Sequence, residues 1–196
     1  MKAIVIAIVS ILTINTNIMA TKGFEVQKEI TINVPASQLW EMVGPGFTEV
    51  YKWSSNVDHS VGKGTAEFEG AVCSERHCDL NVKGFSSINE KLTKYDDARM
   101  NLAYEVNDGM PGFVTKAVND WTVVAVSDTQ SKLIMKGEFG IKGIMGFMMN
   151  GMMEKKMNET LETVLEDAKI YAETGMISIT KQERITSLDK KSKKAA

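Results

Sequence analysis

Residues 143–173 read GIMGFMMNGMMEKKMNETLETVLEDAKIYAE, and this stretch decides the fold class. Met149, Met153, Met157, Leu161, Leu165 and Ala168 recur at spacings of four and three, flanked by Met145, Met152, Val164 and Tyr171. Lys155, Lys156, Glu159, Glu162, Glu166 and Lys169 fill the remaining faces. That is the period of an amphipathic helix, predicted from about Ile144 to Glu173. At 1.5 Å per residue it extends on the order of 45 Å. Gly175 is suited to end it.

Immediately before the helix the period changes to two. Leu133, Met135, Gly137, Phe139 and Ile141 alternate with Ile134, Lys136, Glu138 and Gly140, the mark of a strand. Further strands are predicted at 67–80, 85–95, 100–107 and 113–127, with the last at 131–141. They are separated by turn signals at Asn81–Gly84, Asp96-Asp97, Asn107-Asp108-Gly109 and Ser127–Gln130. At the start of this region Phe24, Val26, Ile30, Ile32 and Val34 share one face of another strand. Pro35 ends that strand, because it lacks an N–H and fixes φ. A short helix is expected at Ala36–Val43, a break at Gly44-Pro45-Gly46, and a second short helix at Phe47–Trp53. The order is strand, two short helices, a run of consecutive strands and one long helix. That order defines an α+β domain with an antiparallel sheet. The segment 176–196 has mixed polarity and ends in Lys190, Lys191, Lys193 and Lys194. It is expected to be a polar, partly disordered tail.

The 196 residues, 43% hydrophobic and 24% charged, suit one domain. A formal net charge of −2 gives no electrostatic footprint for nucleic acid. At the N-terminus, Lys2 precedes an apolar run from Ala3 to Ile14. This run is too short for a bilayer, which needs roughly 20 residues. Residues 1–20 are therefore read as a signal peptide cleaved after Ala20, with an uncleaved anchor as the alternative. The expected product is a periplasmic or secreted domain spanning 21–175. No cysteine lies near the junction to take a lipoprotein anchor.

Several local motifs, taken in order, resemble the helix-grip superfamily of START and birch-pollen-allergen-like domains (SRPBCC), and within it the polyketide cyclase/dehydratase branch. They are Val34-Pro35-Ala36-Ser37-Gln38-Leu39-Trp40, then Trp53, Gly70-Ala71-Val72 and Arg76-His77-Cys78. Glu90-Lys91-Leu92 follows with Tyr95-Asp96-Asp97, then Leu102-Ala103-Tyr104-Glu105-Val106 with Pro111, and finally Trp121. The resemblance covers residues 24–173. It implies a curved sheet wrapped around the long helix with a cavity between them. It further implies a hydrophobic small-molecule ligand, such as a lipid, sterol or polyketide. Some members cyclise or dehydrate their substrates, so the shared fold alone does not fix the chemistry.

Arg76 matches the family's arginine position. If its strand face points inward, its permanent charge needs an acceptor. Glu90 on the next strand or a ligand oxygen are the two options. Trp53, Tyr104 and Trp121 are expected to line the cavity, each offering a polar tip to a ligand. Met145, Met149, Met152 and Met153 are expected to form an adaptable apolar wall. Methionines on more than one face of the helix also point to a portal or transient membrane contact. Cys73 and Cys78 are the two cysteines, and export would invite a disulfide between them. Two separate thiols are the alternative, since a spacing of five puts them on opposite faces of a regular strand. No pair of ligands has a usual zinc spacing, and no cofactor motif is present. His77 and Asp79 share a face, but no nucleophile accompanies them. The leading expectation is an exported binding protein for a hydrophobic small molecule. The alternatives are a cyclase or dehydratase using Arg76, His77 or Tyr104 to polarise a carbonyl, and an interaction module using the methionine-rich helix start.

Overall fold

The computed structural model describes residues 22–82 and 85–195. The expected signal peptide lies outside them. The elements in order are β1 (Lys22–Ile32), α1 (Ala36–Val43), a 3-10 helix (Pro45–Lys52), β2 (Val57–Lys63), β3 (Glu75–Val82), β4 (Phe85–Asp96), β5 (Asn101–Asp108), β6 (Val114–Ser127), β7 (Gln130–Ile141), α2 (Gly143–Thr174) and α3 (Ile179–Ala195). The strands form one antiparallel sheet in the order β1-β7-β6-β5-β4-β3-β2. The six strands β2 to β7 are a meander, and β1 adds beside β7. α1 and the 3-10 helix thus carry the chain from one sheet edge to the other. This is the helix-grip α+β fold that the resemblance implied: a curved, open sheet gripping a long C-terminal helix.

The curvature has local causes. Register shifts interrupt the pairing at Val57/His59, Asp79/Val82, Asn89/Glu90 and Leu92/Lys94, and each bulge bends its strand. In the concave face, Phe24 and Phe139 are cross-strand partners whose rings stack at 4.9 Å. Gly137 makes room for them, because a Cβ there would lie 2.7 Å from the Phe139 ring and 3.0 Å from Val26. α2 packs along β1 and β7 through Met153, Leu161, Val164, Leu165 and Ala168, and is about 48 Å long. Gly175, in the left-handed region at φ 69°, ends it by donating its N–H to Tyr171 O.

Three sequence expectations are corrected. The strand expected at 67–80 begins only at Glu75, because the chain turns at Gly70 with φ 81° and packs Phe68 and Ala71 as a loop. β2 escaped the pattern because its bulge puts the buried Val57 and Ser60 three apart, which breaks the period of two. The tail is not disordered: residues 179–195 form α3. Its N-terminus is capped by Ser178, whose Oγ accepts from Lys181 N at 3.2 Å. α3 is fixed to the domain by polar groups. Ser178 Oγ donates to the buried Asp167, which also accepts from Ser55 N and Ser55 Oγ at 2.7 Å. Lys181 Nζ donates to Val57 O at 2.6 Å, and Arg184 forks onto Asp58.

Candidate functional site

Between the concave sheet and the middle of α2 lies a cavity of about 140 Å³. Its walls follow from strand alternation. Arg76, Cys78 and Leu80 point inward from β3, as do Ile88 and Glu90 from β4, and Tyr104 and Val106 from β5. Ala117, Asn119 and Trp121 do so from β6, and Met135 and Phe139 from β7. α2 supplies Met157, Thr160, Leu161 and Val164, at helical spacing. Ser54, Asn56 and Val57 close one side, and Met110 and Phe85 another. The lining is mainly apolar, with a few polar groups.

The largest of those polar groups is an ion pair. Arg76 and Glu90 are cross-strand partners, and both are buried. Arg76 Nε donates to Glu90 Oε2 at 2.6 Å, Nη2 lies at 2.6 Å from the same oxygen, and Nη1 donates to Phe47 O. The guanidinium also lies over the Phe47 ring at 3.8 Å and faces the Tyr104 ring at 5.4 Å. Of the two partners left open by the sequence, Glu90 is the one that the structure provides. Burial pushes the guanidinium toward losing its proton, but the Glu90 carboxylate with Cys78 and Tyr104 more than offsets this, so Arg76 stays charged above its ordinary value.

The neighbouring titratable groups are held in their neutral forms. Burial pushes the Cys78 thiol up to about 12, with Arg76 pulling it down and Glu90 pushing it further up. The Cys78 thiol sits 3.5 Å from Glu90 Oε2 as a weak donor. Burial first, and Glu90 second, hold the Tyr104 hydroxyl well above its usual value. Trp121 stands edge-on to Tyr104 at 5.9 Å, and its indole N–H is buried without a hydrogen-bond partner among the described residues. A buried donor left unpaired costs about 1–3 kcal/mol.

The structure brings together only some of the expected site residues. Arg76, Tyr104 and Trp121 line the cavity. Trp53 does not: it is buried behind the wall, with its ring 6.5 Å from that of Trp121. None of the four expected methionines is a cavity wall. Met153 is core, Met149 is half-buried against the core, and Met145 and Met152 are exposed. Met157 and Met110 take that role instead. Of the two alternatives for the cysteines, the structure has the second: Cys73 and Cys78 are two separate buried thiols. Cys73 precedes β3 and packs against Gly62, whereas Cys78 points into the cavity toward Glu90. His77 lies on the opposite face of β3 from Arg76 and Cys78. There it is 2.8 Å from Asn89 Oδ1 and 3.4 Å from Asp79 Oδ1, away from the cavity. Among the described residues no group of three or more His, Cys, Asp or Glu side chains is placed to hold a metal ion. Asn119 was missed, although the alternation 117, 119, 121 sets it on the inward face with Trp121.

A curved sheet closed by a long helix over an apolar cavity defines a hydrophobic-ligand-binding fold of the START and polyketide-cyclase kind. By sequence, residues 23–173 match the family described as polyketide cyclase / dehydrase and lipid transport, and the chain belongs to that family. Solved structures share the fold at low identity. A START superfamily protein from Mycobacterium smegmatis is 17% identical with a TM-score of 0.64, over 78% of this chain and 99% of that one. The Zhui aromatase/cyclase from Streptomyces sp. R1128 is 14% identical with a TM-score of 0.62, over 80% and 100%. A norcoclaurine synthase from Thalictrum flavum is 13% identical with a TM-score of 0.60, over 76% and 96%. No curated protein matches the chain.

Proposed function

We propose that the protein is an exported binding protein that carries a hydrophobic small molecule in the cavity between the sheet and α2. The observation that supports this reading best is a mainly apolar cavity between the concave sheet and α2, with the unpaired Trp121 indole N–H buried in its wall. An apolar cavity of roughly 150 Å³ accepts a guest of benzene size. The favoured ligand therefore inserts one ring or a short apolar segment, with an oxygen placed to accept from Trp121. A larger lipid or polyketide would enter further by displacing Met110 and Met157, whose unbranched side chains rearrange readily. Export rests on the apolar run Ala3–Ile14 and the small residue Ala20.

The second reading, a cyclase or dehydratase, draws on the same cavity, because Arg76 and Tyr104 could polarise a bound carbonyl. Carriage is favoured over turnover because Arg76 is already engaged by Glu90 and the Phe47 carbonyl. The test is native mass spectrometry of protein taken from its own compartment, followed by organic extraction and a melting-temperature screen over lipids and aromatic ketones. A co-purifying apolar species, or a ligand that raises the melting temperature in wild type but not in Trp121→Phe, supports carriage. Repeated absence of both refutes it. Turnover of a poly-β-ketone substrate that is lost in Tyr104→Phe would favour the enzyme.

A further inference from the structure

We infer that the first three turns of α2 form a docking surface for an anionic lipid bilayer. From Gly143 to Met153 this helix carries no charged residue. Its inner side is accounted for by Gly146 and Met153, which are buried. Its outer side should then be polar, yet it presents Ile144, Met145, Met148 and Met152 at 71%, 59%, 74% and 59% exposure, with Phe147 also exposed. At 100° per residue these side chains fall on one arc, together with Gly151 and with Lys155 one turn later. A contiguous apolar patch of this kind marks an interaction surface rather than ordinary surface composition.

Two features of the patch select a lipid surface as its occupant. The first is charge. Lys142, Lys155 and Lys156 flank the patch against Glu154 and Glu159, a local excess of one positive charge in a chain whose overall formal charge is −2. Lys142 and Lys156 make no ion pair among the described residues, and Lys155 has only an exposed contact with Glu159 at 4.0 Å. A second copy docked symmetrically would bring these lysines against like charges, whereas anionic headgroups complement them. The second feature is position. Lys22, where the described chain begins, pairs with Ile141, so the chain emerges two residues from the start of α2. The apolar run ends at Ile14, and the residues from Asn15 to Lys22 can span no more than about 28 Å. Retained as an anchor, that run would hold this end of the domain at a membrane.

The docking end is also an end of the cavity. The β5–β6 loop carries Met110, a cavity wall, and Phe113, whose carbonyl accepts from Lys142 N at 2.8 Å and lies under Gly146. A bilayer seated on α2 would therefore meet the Met110 rim, where an apolar ligand can pass without crossing water. This last step rests on the carrier reading. The docking itself does not, and its test needs no ligand.

The test is flotation with vesicles of phosphatidylcholine alone and of phosphatidylcholine mixed with phosphatidylglycerol. It uses the full chain and a chain beginning at Thr21, which retains every strand pairing described above. The Thr21 chain is expected to float with the anionic vesicles and only weakly with the neutral ones. Met148→Glu with Met152→Glu should reduce binding at least about tenfold, by removing the inserted apolar face. Each of Lys142→Gln and Lys156→Gln should reduce it roughly fivefold, and only on anionic vesicles. Circular dichroism and melting temperature should stay at wild-type values, since these side chains are at the surface. Failure of the Thr21 chain to float, or flotation unchanged in the double glutamate variant, would overturn the inference. So would flotation confined to the full chain, which would assign the affinity to residues 1–20. Dimerisation in solution that the glutamate variant abolishes, without vesicle binding, would assign the patch to a second copy and equally overturn it.

Discussion

Arg76 and Glu90 stabilise each other inside the cavity, and Glu90→Gln tests this directly. The substitution keeps volume and leaves a hydrogen-bonding amide, but removes the negative charge that faces Arg76 Nε and Nη2 at 2.6 Å. Arg76 cannot escape by losing its proton, so a full positive charge would stay in a site where both residues are buried. The Phe47 carbonyl and the faces of Phe47 and Tyr104 compensate only in part. Breaking one side of a buried pair costs about 3–5 kcal/mol. With a urea slope of about 2 kcal/mol/M, the unfolding midpoint should fall by about 2 M. Replacing both residues, Arg76→Met with Glu90→Leu, removes the desolvation cost with the attraction and should return most of the lost stability. The assay is urea unfolding by tryptophan fluorescence for wild type, Glu90→Gln, the singles Arg76→Met and Glu90→Leu, and their double. A midpoint within a few tenths of a molar of wild type in Glu90→Gln would refute the buried pair. So would a double variant less stable than the sum of its singles, since the coupling would then have the wrong sign.

Four further outcomes follow from the same geometry. Ala117→Leu should fill the cavity, abolishing any ligand-induced rise in melting temperature while leaving stability within about 1 kcal/mol; a severe loss would mean that the space is not there. Alkylation with iodoacetamide at neutral pH should label neither cysteine in the folded protein, because burial raises both thiols, and should label both in urea without reductant; a chain that resists labelling in urea would carry a disulfide. The Cys78 thiol is raised from 9.0 to about 12, so its contribution is fully present below 9 and is lost as pH climbs toward 12; Cys78→Ala should flatten the alkaline fall in stability by up to about 4 kcal/mol, and a parallel curve would refute the shift. Arg184→Ala should speed amide hydrogen exchange across α3 and leave that of β6 and β7 unchanged, since the Asp58 fork fixes that helix alone; uniform loss of protection would show that α3 is integral to the core.

What could be read from the sequence was what repeats locally. β4 to β7, β1 and α1 announce themselves by period and by punctuating Gly, Pro, Asn and Asp. The Arg76–Glu90 pair was legible as one of two options, because adjacent strands in a meander place such residues side by side. The elements that escaped depend on distant partners. α3 is too polar to reveal a packing face. Its anchors are Asp167, Val57 and Asp58, which lie 11, 124 and 126 residues from the groups that bind them. Ser178 as an N-cap was the one local sign of it. The methionines were misplaced for a different reason. A helical period identifies the core side only when the other side is polar. Between Ile144 and Met153 no charged residue marks the outside, so periodicity could not tell wall from surface.

That failure carries information. An ordinary exposed helix face is polar because water makes it so, and the second half of α2 obeys this with Glu159, Glu162 and Glu166 around a core stripe of Leu161, Val164, Leu165 and Ala168. The first half breaks the rule where it costs solubility, yet contributes nothing to the cavity. The functional division of α2 is therefore the reverse of a simple amphipathic reading. The conventional central part, from Met157 to Val164, faces the cavity, and the anomalous first turns face outward. The proposed carrier role would draw on both parts: a dry interior for a guest, and an apolar approach to the phase from which that guest comes. With Tyr104 and Cys78 held neutral and Arg76 held charged, the interior presents fixed dipoles to a guest rather than a group ready to exchange a proton near neutral pH.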